Sequence, residues 1–111
     1  MMTTQEQIKI QKLESLDDLE LLAVGDVIET LLHGCRGKAI ILKNEDQFLS
    51  LIKRQPLEEG EGIMEYSAPK SHYSVENGRL IQNGVVSSIL LSNSFYEKIY
   101  HQYGELLKRI N

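Results

Sequence analysis

Alternation of apolar and polar residues opens the chain. Gln7-Ile8-Lys9-Ile10-Gln11-Lys12-Leu13 repeats every second residue, which predicts a half-buried strand. The six residues before it are polar and are expected to fray. Ser15-Leu16-Asp17-Asp18 predicts a short helix start, with Ser15 as cap and two acids in the first turn. Val24-Gly25-Asp26-Val27-Ile28 predicts a loop entering a second strand. His33-Gly34-Cys35-Arg36-Gly37 predicts a tight turn. Lys38-Ala39-Ile40-Ile41-Leu42-Lys43 is apolar on both faces, as a central strand is.

Residues 44–55 satisfy two patterns. Asn44 and Gln47 can form a capping box, and Phe48, Leu49, Leu51 and Ile52 fall within an arc of about 160° on a helical wheel. Lys53 and Arg54 suit the far end of that helix, and Pro56 would stop it. A β-hairpin turning at Asn44-Glu45-Asp46 competes with it. Pro56-Leu57-Glu58-Glu59-Gly60-Glu61-Gly62 reads as an acidic, solvated loop, too sparse in ligands for calcium. Ile63-Met64-Glu65-Tyr66 predicts a short strand that Ala68-Pro69-Lys70 breaks. His72 to Ile81 turns at Asn77-Gly78, a strong hairpin signal. The second Asn-Gly, Asn83-Gly84, predicts another hairpin or a bulge, and residues 85–91 a further strand.

At the C-terminal end, Ser94-Phe95-Tyr96-Glu97 forms a capping box. Phe95, Tyr96, Ile99, Tyr100, Tyr103, Leu106, Leu107 and Ile110 then share about 140° of a wheel. This amphipathic helix must bury its apolar face, on its own sheet or on a partner. The expected fold class is α+β in a single domain over residues 1–111. It is a small curled antiparallel sheet or SH3-like barrel with a short middle helix and a C-terminal amphipathic helix.

Composition narrows the class further. Apolar residues make up 41% and charged residues 25% of the 111 residues, the balance of a globular domain. The apolar stretch Leu19–Val24 is broken by Glu20, and nothing approaches the ~20 apolar residues of a membrane span. No basic region precedes an apolar block at the N-terminus. The single cysteine, Cys35, fits a reducing cytoplasm, so a cytoplasmic protein without membrane contact is expected. The net charge is −4. Residues 1–66 carry 13 acids and 7 bases (−6), and residues 67–111 carry 3 acids and 5 bases (+2). A nucleic-acid partner is not expected from this balance, although a local basic cleft stays open.

Candidate chemistry is thin. Cys35 lies beside Arg36 and Lys38, which would favour a thiolate. A nucleophile would also need His33, His72 or His101 within reach. The simpler reading is an ordinary surface or half-buried thiol. His33 and Cys35 make a poor metal pair and no second pair completes a site. Asp17, Asp18 and Glu20 sit where helix-start acids sit. Dinucleotide, P-loop and metalloprotease signatures are absent. No cofactor and no metal are expected.

Gly25-Asp26-Val27-Ile28 followed by Arg36-Gly37-Lys38-Ala39-Ile40-Ile41-Leu42 resembles the opening of the MazF/PemK toxin family. The resemblance implies an SH3-like barrel and metal-independent RNA cleavage, with Arg36 stabilising the phosphate and Ser67 assisting. Gly37-Lys38 stands where that family has Arg-Pro, and the Pro-Ile-Thr/Ser run is missing. The same stretch is also similar to the KOW-type barrels of ribosomal and transcription proteins. The primary expectation is a non-catalytic protein-interaction or regulatory module, binding a protein partner or itself through Tyr96, Tyr100, Tyr103 and Leu107. The RNA-cleaving enzyme is the alternative.

Overall fold

The computed structural model describes residues 8–56, 58, 60–91 and 93–110; the side chains of residues 56, 61 and 93–96 fall outside that description. Eight strands form one strongly curled, half-barrel sheet, and one α-helix packs on it. The strands are β1 (Ile10–Gln11), β2 (Val27–Leu32), β3 (Cys35–Asn44), β4 (Phe48–Pro56), β5 (Glu61–Pro69), β6 (Tyr73–Glu76), β7 (Arg79–Gln82) and β8 (Ser87–Leu90). The helix α1 spans Asn93–Arg109. Across the sheet the order is β6-β7-β2-β3-β4-β5-β8. The strand β1 lies beside β2, parallel to it, on the edge that β2 also shares with β7. Consecutive strands β2 to β5 are antiparallel neighbours.

Side-chain alternation divides the core in two. Ile28, Leu32, Ala39, Ile41, Leu49, Leu51, Tyr66 and Leu80 fill the concave side with Leu13, Leu19 and Tyr73. Val27, Ile40, Ile52 and Ile63 face the convex side, where Ile99, Tyr103, Leu107 and Ile110 of α1 cover them. The expected apolar-on-both-faces strand is therefore β3, with Ala39, Ile40 and Ile41 all fully buried. A bulge between Ile41 and Lys43 bends it and adds to the curl.

Two hairpins close with pairs of left-handed residues. His33 and Gly34 have φ 51° and 78°, and Asn77 and Gly78 have φ 53° and 81°. Two-residue turns with positive φ match the right-handed twist of the strands they join. The first turn is tighter than the five residues expected. Cys35, Arg36 and Gly37 already belong to β3, and Cys35 pairs with Leu32.

The middle helix is corrected. Residues 48–56 form β4, and the hairpin alternative at Asn44-Glu45-Asp46 is the one adopted. Phe48, Leu49, Leu51 and Ile52 satisfy a helical arc and a strand buried on both faces equally well. Pairing with β3 and β5 on both edges decides between them. Among the described residues, helical structure before α1 is limited to 3₁₀ turns at Leu16–Leu21 and Lys70–His72. Asn44 does not cap a following helix. Its amide donates to the Leu19 and Leu22 carbonyls at 2.8 Å each, closing the end of the first 3₁₀ turn.

Three further boundaries move. The short strand expected at 63–66 is the nine-residue β5, with Pro69 paired opposite Phe48 at its end. Asn83-Gly84 makes neither a hairpin nor a bulge. It lies on the crossing from β7 to β8 at the far edge, where the Asn83 N–H donates to the His72 carbonyl at 2.8 Å. The helix α1 begins at Asn93, so Ser94 lies inside its first turn. The N-terminal fraying expected for residues 1–6 falls outside the described residues.

Truncation on α1 separates core from surface. Leu107, 1% exposed, should cost about 2–5 kcal/mol when replaced by Ala. Tyr100, 41% exposed, should cost under about 0.5 kcal/mol. Urea unfolding of both variants measures the difference.

Candidate functional site

The polar end of the half-barrel is built around the β2–β3 hairpin. The His33 N–H donates to Gln82 Oε1 at 2.7 Å, and His33 Nε2 lies 2.8 Å from the Val86 carbonyl. These bonds tie the hairpin to the crossing between β7 and β8. The His33 ring meets the Tyr66 ring edge-on, with centroids 5.3 Å apart and planes at 73°. Tyr66 Oη donates to Gln55 Oε1 at 2.5 Å. Burial first, and the neighbouring Cys35 thiol second, hold the Tyr66 phenol above its ordinary pKa.

Lys53 is the unusual member. It follows Leu49 and Leu51 at alternate positions of β4, so it continues the row of concave-side residues, and only 6% of it is exposed. Its ammonium stands 5.8 Å from the Tyr66 ring centroid. Among the described residues it has neither a hydrogen-bond acceptor nor a carboxylate partner. Burial lowers its pKa below the usual lysine value, and Cys35 partly opposes that shift. Gly37 lies directly against the end of this side chain. A Cβ there would lie 2.7 Å from Lys53 Nζ.

The strands part beside this lysine. Positions of β3 and β4 pair from Asn44–Leu49 as far as Ile40–Ile52 and no further. Beyond that pair a cleft of about 350 Å³ opens, lined by Cys35, Arg36, Gly37, Lys38, Lys53, Arg54 and Gln55. Cys35 is exposed and free. Its expected histidine partners are engaged elsewhere or remote: His33 with Val86, His72 Nδ1 with the Val85 carbonyl at 2.7 Å, and His101 on the exposed side of α1. Among the described residues no group of three His, Cys, Asp or Glu side chains could hold a metal ion. The Asp18 carboxylate accepts the Glu14 and Ser15 N–H groups at 2.7 and 3.2 Å, a structural role. Asp17 and Glu20 are exposed.

The other candidate residues are dispersed. Arg36 is exposed at the start of β3, opposite Leu31. Ser67 lies on β5 opposite Ser50, whose own β3 partner is Lys43. Arg36 to Lys43 is seven residue steps of strand, roughly 20 Å. Ser67 instead joins Ser50 at 3.1 Å and Glu65 at 3.4 Å. Of the four residues proposed for an interface, Tyr103 and Leu107 are buried against the convex face, and Tyr100 is exposed with the Lys108 ammonium 5.5 Å from its ring centroid. The Tyr96 side chain lies outside the described residues.

Sequence reasoning missed Lys53 and Gln55, because Lys53-Arg54 matched the basic end of a helix. The signal for a strand was the period-2 series Leu49, Leu51, Lys53, Gln55. The strand expected over residues 85–91 is β8, Ser87–Leu90, but its place at the sheet edge was not foreseen. Val85, Ile89 and Leu90 are 76%, 57% and 51% exposed, and β8 ends the sheet with no partner strand on its outer side among the described residues. Among those residues no helix is long and apolar enough to cross a membrane. No family model, no curated protein and no solved structure matches this chain.

The desolvated Lys53 sets a pH dependence. The folded-state pKa of Lys53 lies below its unfolded value of 10.5, so the unfolded chain binds more protons between the two. Its burial penalty is therefore present at neutral pH and fades as pH rises through that window. Lys53→Met should be neutral or stabilising at pH 7 in chloride buffer, and its advantage over the parent should narrow as pH approaches 10. Denaturant titrations at pH 7, 8, 9 and 10 test this; a clear loss of stability at pH 7 would mean the ammonium is well compensated.

Proposed function

We propose that this chain is a non-catalytic protein-interaction module that assembles through the open edge of β8, with a second copy of itself as the partner. The observation that carries the proposal is the character of that edge. Natural edge strands are blunted by charge, proline or cover. The strand β8, Ser87-Ser88-Ile89-Leu90, carries no charge and no proline, and its two large apolar side chains stand in water. At the opposite end of the sheet, β6 is touched by the 3₁₀ turn Leu16–Leu21.

The ladder defines the register of such a contact. The Leu91 N–H donates to the Ile63 carbonyl at 3.1 Å, which makes Leu91–Ile63 a hydrogen-bonded pair. Alternation along an antiparallel ladder then turns Ile89 and Ser87 toward β5, and aims the N–H and C=O of Ser88 and Leu90 outward. Two copies related by a twofold axis would pair Ser88 with the second copy's Leu90, giving four hydrogen bonds. The two Ile89 residues would face each other at the closer, non-bonded spacing. Burying Ile89 and Leu90 in each copy adds apolar area to those bonds. The RNA-cleaving alternative lacks comparable support, since Arg36 and Ser67 stand roughly 20 Å apart along the strand direction.

Sedimentation velocity should give a dimer. Ser88→Pro removes an outward N–H only, so it should yield a monomer with a near-parental Tm. Ile89→Pro removes an N–H bonded to β5 and should destabilise the fold by about 1 kcal/mol or more. In a Cys35→Ser background, Ile89→Cys should form an intermolecular disulfide on mild oxidation, since non-bonded antiparallel pairs have Cα atoms ~4.5 Å apart, within disulfide reach. A parent that stays monomeric at high micromolar concentration would sink the proposal.

A further inference from the structure

The open end of the concave side brings a thiol and an amine together. Ala39 and Ile41 belong to the concave core and Ile40 to the convex one. Alternation therefore places Cys35 and Gly37 of β3 on the concave side, and Cys35 pairs opposite Leu32 of that same core. On β4 the rule places Lys53 with Leu49 and Leu51. Its partner across the β4–β5 ladder is Met64, which packs against the concave core. Arg36, Lys38 and Arg54 fall on the other face. Cys35 and Lys53 thus share one side of the sheet, and both line the cleft where β3 and β4 stop pairing.

Gly37 stands between them. A Cβ on it would lie 2.7 Å from Lys53 Nζ, so the end of the lysine rests against the β3 backbone there. Cys35 is the next residue along that side of β3, about 7 Å further on by Cα. Its thiol is free and exposed, and it acts electrostatically on both Lys53 and Tyr66.

An exposed cysteine by itself is usually an ordinary thiol. The lysine beside it is the independent observation. Lys53 is 6% exposed and has no hydrogen-bond acceptor among the described residues. Burial disfavours its charged form, and the neutral amine carries a lone pair that attacks electrophiles. An oxidised cysteine offers an electrophilic sulfur, which condenses with a second thiol or with a nitrogen. The chain has a single cysteine, so within one copy a nitrogen is the nucleophile available to Cys35. Gly37 has no side chain to hold the two groups apart. Beyond Ile40–Ile52 the strands are not paired, so no ladder between them resists their closing on each other.

We infer that Cys35 is a modification site for hydroperoxides, at which oxidation closes a reversible covalent link between Cys35 Sγ and Lys53 Nζ. The Cys35 sulfur takes the terminal oxygen of the peroxide as the O–O bond breaks, giving the sulfenic acid and an alcohol (water, from hydrogen peroxide). The sulfur loses two electrons and the peroxide gains them. The neutral Lys53 amine then attacks the sulfur. The S–N bond forms, the S–O bond breaks, and the departing hydroxide takes a proton from the nitrogen and leaves as water. The product is a sulfenamide, which a thiol reductant returns to free Cys35 and Lys53. The link staples β3 to β4 where their own pairing ends. It does not rest on assembly through β8.

The test treats the full chain with a small excess of hydrogen peroxide and reads its intact mass without reductant. The linked product should be about 2 Da lighter than the parent, because two hydrogens leave as the S–N bond forms. Dithiothreitol should restore the parent mass. Cys35→Ser, Lys53→Met and Lys53→Arg should each abolish the lighter species; the last keeps the charge without a condensing amine. In both Lys53 variants the sulfenic acid should persist and be captured by dimedone. Lys38→Gln, on the other face, should keep the link. Unchanged far-UV circular dichroism in the variants excludes misfolding as the cause of any loss. The inference is overturned if Cys35 of the parent stays a thiol, or ends as a sulfenic or higher acid or an intermolecular disulfide, with no lighter species. Survival of that species in either Lys53 variant would overturn it equally.

Discussion

Double-sided burial of β3 is the constraint on which the rest of the molecule depends. Ala39, Ile40 and Ile41 are consecutive and none touches water. A strand in that state needs cover on both faces. The sheet provides the concave cover by curling until Leu13, Leu19 and Tyr73 close over Ala39 and Ile41. It cannot cover its own convex face, so α1 lies across Ile40, Ile52 and Ile63. Each large apolar side chain buried contributes about 1.5–3 kcal/mol, and both clusters depend on this strand.

The same curl creates the polar end. Strands that bend around a concave core cannot stay paired along their full length, and β3 and β4 part beyond Ile40–Ile52. The interior row of β4 then runs from Leu49 and Leu51 into Lys53, where apolar packing gives way to a charged residue still shielded from solvent. Tyr66 borders both regions, joining the concave core through its ring and Gln55 through its hydroxyl. The polar side chains here line a gap that the fold leaves open.

Much of the architecture was legible along the chain. Asn77-Gly78 specified its hairpin, because those residues accept the left-handed backbone that a two-residue turn requires. The helix after residue 93 was legible because no strand could sort Ile99, Tyr103, Leu107 and Ile110 onto one side. Residues 48–52 were ambiguous for the opposite reason: a strand buried on both faces loses the alternation that distinguishes it from a helix. Asn83-Gly84 carried a hairpin signal without forming one, since the edge of β7 near it was already taken by β2. The candidate sites were less legible. Arg36 was noted as a lone cation, but nothing local showed that Lys53 and Arg54, from another strand, line the same cleft.

By itself the sequence determined the size of the domain, its strand-rich α+β class, two of its hairpins, the apolar face of α1 and the double-sided character of β3. Those features follow from backbone preferences and the spacing of apolar side chains, which act over a few residues. Tertiary structure alone decided that residues 48–56 are a strand, that β7 lies parallel to β2, and that β8 crosses to the far edge and leaves that edge open. It also decided that four cations from two strands line one cleft. Each of these depends on which segments meet in space, and the free energy that selects them is paid out only when distant residues pack together.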